Sequence, residues 1–72
     1  MAQLNRITFD PKIMGGQACI RGMRVPVATI VKLVASRMTE AEILKHYPDL
    51  EAEDIQEALR YVAALAEERL VT

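Results

Sequence analysis

The side chains able to do chemistry are few in this chain, and their spacing does not favour catalysis. Cys19 is the only cysteine and His46 the only histidine among 72 residues. Neither an intramolecular disulfide nor a tetrahedral zinc site can be assembled from that set. Gly15-Gly16 lacks the glycine spacing and the following lysine of a phosphate-cradling loop, so it reads as a turn. No serine sits in a nucleophile elbow. Cys19 reads as a packed structural thiol, and His46 beside Tyr47 as a surface or capping residue at a helix end. Glu51, Glu53, Asp54 and Glu57 are close in sequence but fan around a helix. They read as a capped, solvated acidic face rather than a metal site. No catalytic residue, metal ligand or cofactor is expected, and the chain is expected to bind rather than catalyse.

Charge supplies the next distinction. The net charge of −1 conceals a basic front and an acidic rear. Arg6, Lys12, Arg21 and Arg24 face Asp10 alone in residues 1–30, whereas nine carboxylates outnumber five bases from 31 onward. Such a split suggests two surfaces with different partners. The candidates for phosphate or base contact are Arg6, Lys12, Arg21, Arg24, Arg37, Lys45, Gln56 and Arg60. Those for a protein partner are Glu53, Asp54, Glu57, Leu65, Leu70 and Val71, an acidic helical face beside apolar residues.

The elements that must position these residues fall into two regions of one domain spanning 1–72, with the change near Pro26. In residues 6–25, Arg6–Phe9 is a β-prone run stopped by Asp10-Pro11, and Cys19–Arg21 is a second, broken by Gly22. Strands this short are not stable alone and must pack on helices or pair with another chain. From 26 to 72 the period becomes helical. Pro26 suits a first helical position, and Val27, Ile30, Val31 and Val34 form one apolar stripe. Thr39–Glu42 has the form of a capping box, starting a short helix with Ile43, Leu44 and Tyr47 inward. Pro48 stops it. A third helix starts at about Glu51–Glu53, with Ile55, Ala58, Leu59, Val62 and Ala66 on one side. The expected fold is mainly α: short N-terminal strands, then a trihelical helix-turn-helix core and a C-terminal extension.

An apolar content of 51% is generous for so short a chain, and implies that some apolar surface is buried against a second copy or another protein. No run approaches the ~20 apolar residues of a membrane span, and a lone free cysteine fits a reducing compartment, so a cytoplasmic location is expected. No small-molecule substrate is expected either.

The succession Arg6-Ile7-Thr8-Phe9-Asp10-Pro11-Lys12-Ile13-Met14-Gly15-Gly16, followed by Ile20-Arg21-Gly22-Met23-Arg24-Val25-Pro26-Val27, resembles the domain of unknown function 433 family. Met38–Leu44, Tyr47-Pro48-Asp49-Leu50, Asp54-Ile55 and Ala58-Leu59 extend the resemblance over about residues 6–62. It implies a small prokaryotic protein with a homeodomain-like or winged-helix-like trihelical core. Many members look like antitoxins of VapBC-type toxin–antitoxin pairs, which bind a PIN-like ribonuclease and repress their own promoter as dimers. This sequence departs from the pattern at Ala18, Met23, Arg37 and Glu51. Arg37 replaces a helix-ending glycine, and Glu51 replaces the Thr or Ser that caps the third helix.

The expectation is therefore a dimeric antitoxin of a VapBC-like type II pair that neutralises a PIN-like ribonuclease by direct binding, with promoter DNA as a further partner. The rivals are a stand-alone DNA-binding regulator and a protein-interaction module without DNA affinity. Four carboxylates at the start of the third helix argue against base reading by that helix, because duplex DNA carries one charge per ~1.7 Å of axis.

Overall fold

The computed structural model of the protein describes residues 5–70, with side chains through residue 67. Two antiparallel strands, β1 (Ile7–Phe9) and β2 (Ala18–Ile20), precede three helices: α1 (Val27–Ala35), α2 (Glu40–His46) and α3 (Ala52–Leu70). Each strand is one residue out of step with its expected span. Ile7 faces Ile20, Thr8 faces Cys19 and Phe9 faces Ala18. A short 3-10 turn, Met14–Gly16, joins the strands through three successive positive φ angles, which glycine adopts freely at two of them.

Arg21 leaves β2 with φ +46, and Gly22 continues the turn at φ +72. The chain then doubles back, so that the Ile20 N–H donates to the Val25 carbonyl at 3.1 Å. Pro26 bridges Cys19 and does not begin α1 as the first helical residue. Its ψ of 144° makes it the N-cap, with its carbonyl accepting from Thr29 and Ile30.

The core is small and aliphatic. Ile20 of β2, Val27 and Ile30 of α1, Ile43 of α2, Leu50 of the α2–α3 turn, and Ile55 and Ala58 of α3 are all buried together. Each fully buried Ile or Val contributes about 1.5–3 kcal/mol relative to exposure. Because one member comes from β2, the hairpin is part of the same core as the helices.

The helix ends follow from local chemistry. The Thr39 hydroxyl accepts from the Glu42 N–H at 3.1 Å while the Glu42 carboxylate accepts from the Thr39 N–H at 2.8 Å. Hydrogen bonding from the Thr39 N–H, and then from its side chain, holds the Glu42 carboxyl below its ordinary range. At the end of α1, Met38 N–H reaches the Leu33 carbonyl and Arg37 N–H the Val34 carbonyl, a Schellman pattern. Arg37 occupies its left-handed position at φ +68, where glycine would carry no Cβ penalty. Among the described residues, no helix is long and apolar enough to cross a membrane.

Candidate functional site

The hairpin meets α3 through charge. Asp54, at the third position of α3, is fully buried and accepts four hydrogen bonds. Its Oδ1 accepts from Arg6 Nη1 at 3.0 Å and Arg21 Nε at 3.1 Å. Its Oδ2 accepts from Arg21 Nη2 at 2.8 Å and from the Glu51 N–H at 2.7 Å. The last bond is half of a capping box, with the aspartate reaching back to the helix start. Burial alone pushes the Asp54 carboxyl up. The Arg21 guanidinium, the Glu51 N–H and the Arg6 guanidinium outweigh that and hold it below its ordinary value.

The cluster extends outward on both sides. Arg6 Nη1 also meets Glu51 Oε1 at 2.6 Å, and the Arg6 N–H donates to Glu57 Oε2 at 2.7 Å. Arg21 Nη2 donates to the Asp49 carbonyl at 2.8 Å, tying the α2–α3 turn to the hairpin. Hydrogen bonds to carboxylates raise the pKa of both guanidiniums. The left-handed conformation of Arg21 follows directly on β2, where the strand ends and the guanidinium meets α3.

These contacts correct the expected solvated acidic face. Glu51 and Glu53 are exposed, but Asp54 is fully buried and Glu57 is 9% exposed, since both satisfy hairpin donors. Among the described residues, no buried side-chain nitrogen or oxygen lacks a hydrogen-bond partner. Arg6 and Arg21, candidates for nucleic-acid contact, are instead the two cations of this clasp. Lys12, Arg24, Arg37 and Lys45 are exposed and belong to no ion pair among the described residues. Gln56 donates to Glu40 Oε2 at 2.9 Å, and Arg60 lies 3.6 Å from Glu53.

The other half of α3 is different. Glu53, Gln56, Arg60, Ala63 and Glu67 form its exposed outer stripe. Leu65 lies only about 20° around the helix from fully buried Ala58, yet is 39% exposed. The core-directed stripe of α3 thus runs past the end of the core. Phe9, 59% exposed on β1, stands beside it, with its ring centroid 6.0 Å from that of half-buried Tyr61. The Leu70 side chain and Val71 lie outside the described residues. Neither Phe9 nor Tyr61 was singled out as a site residue from sequence. A lone aromatic in a short strand carries no periodic signal, and only the packing of β1 on α3 joins the two.

A small sheet edge, a three-helix core and a charged clasp between them define a compact α-rich domain. The chain belongs to the family described as protein of unknown function (DUF433), whose pattern it matches over residues 7–62. It is 38% identical over 58 residues to the uncharacterized protein y4eO of Sinorhizobium fredii. That match covers 81% of this chain but 26% of the relative, so the chain spans about a quarter of the curated protein it resembles. The crystal structure of a DUF433 member protein from Anabaena variabilis is similar at a TM-score of 0.80 and 39% identity. It aligns with 89% of this chain and 63% of that one.

Proposed function

We propose that the chain is a protein-binding subunit of the antitoxin type, silencing a PIN-like ribonuclease through the overhanging end of α3. The observation that carries this reading is the exposed, core-directed Leu65 beyond a closed core, on a helix whose outer stripe carries Glu53 and Glu67. An exposed leucine on a helix that also exposes carboxylates suits a basic, nucleic-acid-cutting partner better than it does DNA. The family resemblance supplies the class of partner.

DNA contact is the weaker role in this reading. Arg6 and Arg21 are neutralised by Asp54, which weakens their pull on phosphate. Promoter binding would therefore rest on Lys12, Arg24, Arg37 and Lys45. The exposed start of α3 offers Glu51 and Glu53 where base readers carry Arg, Asn or Gln. A cytoplasmic location accords with this function.

The test is inhibition of a PIN-like ribonuclease, sought in the reading frame beside the gene, at increasing molar ratios of this protein. The expected result is stoichiometric loss of cleavage, relieved by Leu65→Glu. Full ribonuclease activity in the presence of excess wild-type protein would overturn the proposal. A parallel titration with promoter and scrambled duplexes at two salt concentrations would favour the regulator reading if only the native duplex bound tightly.

A further inference from the structure

We propose that β1 pairs antiparallel with β1 of a second copy of this chain, around a two-fold axis at Thr8. The hydrogen-bond pattern of the hairpin leads to this surface. The Arg21 N–H donates to the Arg6 carbonyl at 2.8 Å, which sets the phase of the ladder. In an antiparallel pair, bonded and non-bonded positions alternate. The Arg6 carbonyl and Thr8 are therefore directed toward β2, while the Arg6 N–H turns to Glu57, and Ile7 and Phe9 direct their main-chain groups away from β2. Ile20, opposite Ile7, follows the same rule, since its N–H points outward to Val25.

The two edges of the hairpin are consequently unlike. The outer edge of β2 is occupied by Val25 and Pro26 of its own chain. On the outer edge of β1, no hydrogen bond to the main chain of Ile7 or Phe9 is made among the described residues.

A second copy fits this edge because the edge is self-complementary about Thr8. Ile7 would face Phe9 of the second copy, and each such narrow pair exchanges two hydrogen bonds, about four in all. Asp10 of the second copy would stand opposite Arg6, whose guanidinium stays on Asp54 and Glu51, so the pairing rests on the main-chain bonds and the Ile7–Phe9 contacts. Asp10 is exposed, and its Oδ1 already accepts from the Lys12 N–H at 2.9 Å, turning the chain away after the strand. Pro11 lacks the next outward N–H, so the ladder ends there, and the covered outer edges of β2 stop further strands from joining. Phe9, 59% exposed in the separate chain, would be covered by Ile7 of the second copy. The result is a four-stranded sheet where a two-stranded one is marginal by itself. The pairing leaves the end of α3 outside the ladder, so it stands or falls independently of the ribonuclease reading.

Mass measurement by light scattering at about 100 μM, above the micromolar Kd expected of a small interface, gives the first readout. The full chain should weigh twice its 8.1 kDa. Phe9→Lys should return it to the single-chain mass with an unchanged circular dichroism spectrum. Thr8 would sit across from itself in a non-bonded pair, at a Cα separation of about 4.5 Å, within disulfide reach. Thr8→Cys in a Cys19→Ala background should therefore cross-link on mild oxidation, while Lys12→Cys in that background should not. A single-chain mass for the wild type would overturn the proposal. So would a dimer that survives Phe9→Lys, or one that fails to cross-link at position 8.

Discussion

The first turns of α3 and its last turns carry a similar mixture of alanine, leucine or isoleucine and carboxylates, yet they occupy opposite environments. At the start, Ile55 and Ala58 fill the core while Asp54 and Glu57 are drawn inside by hairpin donors. Toward the end, Leu65 keeps the core direction but has outrun the core. The contrast teaches that what a helical residue meets is set by the reach of its neighbours as much as by its place in the stripe. The hairpin and the residues beside it meet α3 from Asp54 to Tyr61, whereas a 19-residue helix extends about 28 Å.

The largest expected effect comes from breaking the covered half in its apolar centre. Ile55→Ala should lower unfolding stability by about 3–4 kcal/mol, since it removes buried methylenes and leaves a cavity. Chemical denaturation would measure it. A loss below about 1 kcal/mol would mean that the core collapses around the site.

Asp54→Asn comes next, at about 2–3 kcal/mol, because two guanidiniums lose a charged acceptor while remaining partly exposed to solvent. The pH dependence should follow the same residue. The folded Asp54 carboxyl lies below its ordinary value of 3.8, so it contributes stability above that value and loses it as pH falls through the lower folded one. Thermal melts from neutral pH down through this window should show the decline, with a shallower slope in Asp54→Asn. Equal slopes would remove Asp54 from the acid response.

Arg37→Gly should raise stability by about 1 kcal/mol, because glycine adopts the left-handed position at the end of α1 without a Cβ penalty. A lower melting temperature for this variant would contradict the Schellman assignment.

The smallest effect sharpens the comparison most. Leu65→Glu should change stability by no more than about 0.5 kcal/mol, the usual bound for a surface site, while relieving ribonuclease inhibition. A large loss of stability would show that the end of α3 belongs to the core after all.

Much of this fold was legible in the sequence, because local chemistry decides it. The Thr39–Glu42 box, the stop at Pro48, the stripe through Ile55 and Ala58, and the turns at Gly15-Gly16 and Gly22 all act over four residues or fewer. The substitution of Arg37 for glycine was likewise readable, and the residue takes the conformation that glycine would have taken. The candidate site was legible only in part. Leu65 could be named from its place beside the carboxylates of the third helix, but Arg6, Arg21, Asp54 and Glu57 could be read as surface charge because their partners lie 33 to 51 residues away.

The sequence alone determined the elements, their order and the chemistry available to them, since propensity, capping and periodicity are properties of neighbouring residues. Only the tertiary structure decided which charges are surface and which are interior. Packing the hairpin on α3 removed Asp54 from water, and a buried carboxylate persists only where specific donors converge on it.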